Sequence, residues 1–75
     1  MDMADILFHT NADLSAKERE EIEADLQGCE GMISAHFSGE HPHLLKVVYD
    51  PAAINSDVVL THVNDHGAEA HKIGF

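Results

Sequence analysis

The histidines of His41-Pro42-His43 and the His62/His66 pair are the side chains of this chain whose type and spacing best suit a chemical task. Neutral imidazole binds borderline divalent cations, and Zn²⁺, Cu²⁺ and Ni²⁺ accept imidazole and carboxylate together. His62 and His66 stand four residues apart, so on a helix their rings meet across one turn. Asp13, Glu18 and Glu40 are the carboxylates nearest to the likewise polar hairpin and loop segments. No spacing here is a recognised ligand motif, and each group has a plain structural alternative. Hairpin histidines commonly face water, and a protonated imidazole is favoured at the negative end of a helix. Cys29 is the only thiol, so it forms no internal disulfide. Its spacing from Ile22 and Leu26 predicts a small buried residue, not a nucleophile. There is no Gly-rich phosphate loop and no Ser-His-Asp set, so an enzyme is not expected.

Fourteen acidic residues against four basic ones give a formal charge of −10. Such a surface repels phosphates and anionic lipid, which argues against nucleic-acid and membrane partners. It attracts cations or a basic protein face. Protonating all seven histidines would bring the charge to −3, so the surface should respond to mild acid. With 44% apolar and 24% charged residues, the composition is that of a globular protein, and 75 residues suffice for one domain, 1–75. No signal-peptide run or membrane-length apolar stretch is present, and a cytoplasmic location is expected on that ground.

The elements that must position these groups follow from periodicity. Ile6 to Thr10 alternates as a strand, with Ile6, Phe8 and Thr10 on one face and Leu7 and His9 on the other. Ser15-Ala16-Lys17-Glu18 has the spacing of a capping box and opens a helix whose stripe is Ile22, Leu26 and Cys29. Gly28 and Gly31 bracket its stop. Met32 to Ser38 is a second strand, with Ala35 and Phe37 inward and His36 outward. Gly39 to His43 turns into a third strand, Leu44 to Tyr49, with Leu45, Val47 and Tyr49 on one face. Asn55 or Ser56 caps a second helix that runs to His66, carries Val59, Val63 and Leu60 inward, and stops at Gly67. Ala68 to Phe75 is a weakly patterned last strand. Strand, helix, strand, strand, helix, strand predicts an α+β, ferredoxin-like βαββαβ sandwich. Right-handed crossovers give strand order 4-1-3-2, with both helices on one face.

The chain resembles the heavy-metal-associated domain family of copper chaperones, metal-transporting ATPases and mercury-binding proteins. The residues that carry the resemblance are Leu26-Gln27-Gly28-Cys29-Glu30-Gly31-Met32 at the end of the first helix and Val48-Tyr49-Asp50-Pro51 closing the third strand. Ile54-Asn55-Ser56 and Asp65-His66-Gly67, at the two ends of the second helix, complete it. The resemblance covers nearly the whole chain and implies the fold just described. It also implies a Cys-x-x-Cys metal grip where the first loop meets the first helix, and those positions here are Ser15 and Glu18. A soft two-coordinate Cu(I) site is therefore excluded there. Ala68 stands where the family often has an aromatic residue or lysine beside that loop.

In this topology the first loop, the hairpin and the end of the second helix share one pole. Asp13, Glu18, Glu40, His41, His43 and His66 are expected there, with His41, His43 and His66 as candidate ligands and Asp13 and Glu18 as candidate carboxylates. The uncovered sheet face should carry Leu7, His9, His36, Leu44 and Val48, with His71 beside them, a mixed patch suited to an interface. Two functions follow. One is a non-enzymatic, metallochaperone-like protein that handles Zn²⁺, Cu²⁺ or Ni²⁺ through histidine and carboxylate. The other is a metal-independent interaction module, either a homodimer through the open face or a binder of a basic partner.

Overall fold

Along Ala4–Thr10 (β1), Ile6, Phe8 and Thr10 are buried, while Leu7 and His9 are half-covered on the opposite face. That alternation is the period of a pleated strand with one face in the core. The computed structural model describes residues 2–73. Leu44–Tyr49 (β3) pairs antiparallel with β1, Ile6 opposite Val47 and Phe8 opposite Leu45. Met32–Phe37 (β2) pairs with the other edge of β3, and the short Ala70–Lys72 (β4) pairs with β1. The order β2-β3-β1-β4 puts β1 and β3 at the centre of an antiparallel sheet.

Ala16–Gln27 (α1) and Ser56–Asn64 (α2) cover one face of that sheet. Ile22 and Leu26 from α1 and Val59 and Val63 from α2 join Phe8, Leu45 and Val47 in a single fully buried cluster. The fold is thus ferredoxin-like, as its element order predicts. Two side chains of α1 also reach the edge strand. Gln27 Nε2 donates to Ala35 O at 3.0 Å, and Phe37 N–H donates to Glu23 Oε2 at 2.7 Å. Both contacts occupy backbone groups that an edge strand otherwise exposes.

Asn55 is the residue that caps α2, its Oδ1 accepting from Val58 N–H at 2.9 Å. Asp50 closes its turn by accepting from Ala52 N–H at 2.9 Å. Gly31 joins α1 to β2 with φ of +90°, and a Cβ there would meet Ala53 Cβ at 2.7 Å. The next residues carry a bulge, since the register slips by one between Met32 and Ser34.

Several boundaries differ from expectation: β1 begins at Ala4, two residues before Ile6, and β2 ends at Phe37, one before Ser38. The first helix ends at Gln27 with Gly28 as its cap, so Cys29 lies on the following turn, half-buried and outside the core cluster. The second helix ends at Asn64, because Asp65 takes the cap and the chain then turns through Gly67 at φ +78°. The last strand starts at Ala70 instead of Ala68. Glu69 adopts φ +51°, a left-handed conformation that breaks the extended run. The expected continuation of that strand through Gly74 and Phe75 lies outside the described residues. Among those residues, no helix is long and apolar enough to cross a membrane.

Candidate functional site

At the start of α1, Ser15 and Glu18 close the helix end on itself. Glu18 N–H donates to Ser15 Oγ at 3.1 Å, and Ser15 N–H donates to Glu18 Oε1 at 3.0 Å. These bonds, the Ser15 N–H first and its side chain second, hold the Glu18 carboxyl below its ordinary value of 4.5. Arg19 adds a third tie, its Nη1 donating to Leu14 O at 2.7 Å. Hard oxygen donors already engaged in a cap do not fit a Cu(I) ion, which selects soft sulfur.

The imidazoles gather beside this loop, on the sheet. His43 Nδ1 lies 2.8 Å from Thr10 O. A carbonyl only accepts, so Nδ1 carries the hydrogen and the neutral ring keeps its lone pair on Nε2. That Nε2 is 3.8 Å from Asp13 Oδ1. Thr10 in turn donates to His43 O through both N–H, at 2.8 Å, and Oγ1, at 3.3 Å, so the two residues lock strand to hairpin. The sheet register then sets the neighbours of His43. His9 is opposite Leu44 on one side and His71 on the other. The His9 ring stacks 5.8 Å from that of His43 at 17°, and sits 5.2 Å from that of His71 at 37°. His9 Nδ1 is buried and without a hydrogen-bond partner. The hairpin tip is held by Ser38 Oγ, which accepts from Glu40 N–H and His41 N–H at 3.3 and 3.1 Å. Glu40, His41, Pro42 and His43 line an open cleft with His9 and Leu44.

A second cluster joins the two helices. Asp25 Oδ2 lies 3.0 Å from His66 Nε2 and 3.6 Å from His62 Nδ1. The other ring nitrogen of His62 is 3.7 Å from Cys29 Sγ, which also contacts Asp25 O at 3.5 Å. The His66 hydrogen bond is the main reason that the Asp25 carboxyl falls below its ordinary 3.8. Burial, then the Asp25 charge, push the Cys29 thiol up, which favours the unreactive protonated form.

The expected pole is therefore assembled in part. Asp13 with His43, and Glu40 with His41, stand where the topology puts them. His66 is instead held by Asp25 across the helix pair, and Glu18 is committed to Ser15. Among the described residues, no three His, Cys, Asp or Glu side chains converge as a group able to hold a metal ion. Cys29 is corrected from a core residue to a half-buried neighbour of His62. The neighbours that sequence missed are His9 beside His43, His71 beside His9, and Asp25 beside His62 and His66. The first pair could be found only from the strand register, since Leu7, His9, His36, Leu44 and Val48 are expected merely as a surface patch. All five do lie on or beside the uncovered face, four half-covered and His36 exposed. Met3 and Ile73, 68% and 49% exposed, extend its apolar part.

No family model matches this sequence, and no curated protein matches it. Solved structures do. The N-terminal domain of a potential copper-translocating P-type ATPase from Bacillus subtilis, in its Cu(I)-loaded state, is similar over 97% of this chain and 90% of that one. Its TM-score is 0.87 at 19% identity. Oxidized MerP from Ralstonia metallidurans is similar over 95% and 97%, with a TM-score of 0.82 at 11% identity. A CopZ metallochaperone is similar over 93% of this chain and all of its own, with a TM-score of 0.78 at 16% identity. The chain shares its fold with these proteins, and its resemblance to the heavy-metal-associated domains holds at the level of architecture.

Proposed function

We propose that this chain is a non-enzymatic, metal-handling protein that binds borderline divalent cations through imidazole and carboxylate at the loop-and-hairpin pole. The observation that carries the reading is the fixed tautomer of His43. Its Nδ1–H is engaged by Thr10 O, so the Nε2 lone pair faces the carboxylate of Asp13. A backbone carbonyl behind the ring is the common outer partner of a metal-ligating histidine. His41 and Glu40 stand beside it in the same cleft. The similar structures named for copper or for a metallochaperone support metal as the cargo. Imidazole and carboxylate donors of this kind favour Zn²⁺, Cu²⁺ or Ni²⁺ over Cu(I).

Calorimetric titration of the apo protein with Zn²⁺, Ni²⁺, Cu²⁺ and, anaerobically, Cu⁺ tests this. One equivalent of a divalent ion is expected to bind with micromolar affinity, with Cu⁺ no tighter. Binding only in the millimolar range, or a clear preference for Cu⁺, would contradict it.

A second reading draws on Met3 and Ile73, exposed on the same uncovered face as Leu7, Leu44 and Val48. In that reading the face pairs with a second copy and needs no metal. Sedimentation of the metal-free protein discriminates: a dimer that loosens when Leu7 is replaced by Lys supports it, and a monomer at high concentration rejects it.

A further inference from the structure

We infer that two copies of this chain pair through their open sheet faces about a two-fold axis, with Asp5 of each copy bonded to Lys46 of the other. This rests on the second reading above, the open-face dimer, and adds the contacts that fix its orientation. The distribution of charge selects the face. Of the fourteen carboxylates, five stand on α1 alone, and Asp5 is the one that falls within the four strands. Two copies that meet helix side to helix side therefore set like charges together, and the sheet side spares them that repulsion. Among the described residues, the ion pairs are those of Lys72 with Asp57 and of histidines with Asp13 and Asp25. Asp5 and Lys46 are thus both exposed and have no oppositely charged partner among those residues.

The strand register makes the patch self-complementary. Asp5 on β1 lies opposite Val48 on β3, and Leu7 lies opposite Lys46. All four alternate with the buried residues Ile6 and Val47, so they share the uncovered face. The two charges stand at the ends of one diagonal and the two apolar side chains at the ends of the other, each diagonal about 7–8 Å long. A two-fold axis laid in the interface along the apolar diagonal exchanges the ends of the charged one. Asp5 then meets Lys46 twice, while Leu7 and Val48 each meet their own counterpart. The strands of the two copies cross at about 90°, one of the two ways in which sheets pack face to face. Asp5, Leu7 and Lys46 already line one hollow with Ile6. Met3 and Ile73 add exposed apolar surface, and Ile73 N–H donates to Leu7 O at 3.0 Å, which holds it beside the patch. A lysine within such a contact is costly to cover unless a carboxylate meets it. A wholly apolar partner leaves Lys46 unpaired and a basic one repels it, whereas a second copy brings Asp5 to it.

The test is sedimentation of the full 75-residue, metal-free protein and of two charge reversals, Lys46→Glu and Asp5→Lys, each alone and then mixed. The wild type should sediment as a dimer at high concentration. Either variant alone sets like charges face to face and should weaken the dimer at least about tenfold. An equal mixture of the two should restore it, because every charge at the contact then faces an opposite one. A pair made within one chain could not be mended by mixing. Both positions are exposed, so neither change touches the core, and Lys46→Gln is a milder second variant that should weaken the dimer by a smaller factor. A wild-type dimer that both reversals leave intact, or a mixture that stays monomeric, overturns this pairing, and the open-face dimer then stands or falls with Leu7→Lys. A wild type that stays monomeric at high concentration overturns both and leaves the face to a partner of another sequence.

Discussion

Ser15 and Glu18 each satisfy a backbone donor at the start of α1 that would otherwise be open. Replacing Ser15 by alanine should cost about 1 kcal/mol, read as a lower Tm in the presence of chelator. The sign of the pH dependence follows from Glu18. Its carboxyl is held below 4.5 in the folded protein, so its stabilisation is complete above that value and disappears as pH falls through the lowered one. The gap in Tm between wild type and Glu18→Ala should therefore narrow on acidification toward that range. A gap in Tm that persists unchanged at the lowest pH would refute the reciprocal cap. This box was legible in the sequence because it is local, three residues from donor to acceptor. The carboxylate of Asp25 was not, because its partners His62 and His66 are brought to it only by the packing of one helix on the other.

At the scale of elements, strand alternation and helix stripes predicted the core, with Ile6, Phe8, Leu45, Val47, Ile22 and Leu26 all buried as their spacing requires. The ends were less legible. Cys29 keeps helical spacing from Leu26, yet the helix stops before it, so the periodic pattern outran the backbone. The α1–β2 junction depends on Gly31 for two independent reasons. Its φ of +90° disfavours any side chain, and a Cβ would stand 2.7 Å from Ala53 Cβ and 3.1 Å from Ile54 Cγ2. Asp50 N–H also donates to Gly31 O at 2.8 Å, so a shift of this residue disturbs the exit from β3 as well. Gly31→Ala should cost about 2 kcal/mol or more by chemical denaturation, the combined penalty of handedness and crowding. The same substitution at Gly39, where a Cβ meets nothing within 4 Å, is the control and should cost far less. Equal losses at the two positions would show that the junction is not under this constraint.

The whole molecule carries a formal −10 on a body with extents of 34 × 22 × 20 Å. At about 10 mM salt the Debye length is ~30 Å, so nearly every charge feels every other, and by about 150 mM it falls to ~8 Å. Few pairs offset the excess: Lys72 meets Asp57, while the other described pairs join histidines to Asp13 and Asp25. Added sodium chloride should accordingly raise Tm by a few degrees across that range, since self-repulsion is screened while little attraction is lost. A Tm that falls with salt would mean that the local pairs outweigh the long-range field. The same field bears on metal binding, because a strongly acidic surface concentrates any cation near it. Cations held only by that atmosphere are displaced as salt rises, whereas an ion with direct bonds to imidazole nitrogen loses affinity only through the weaker field. Zinc titrated at low and at physiological salt should thus show a modest decline that levels off for a coordinated ion. Collapse of binding over the same range would assign it to the charge of the surface.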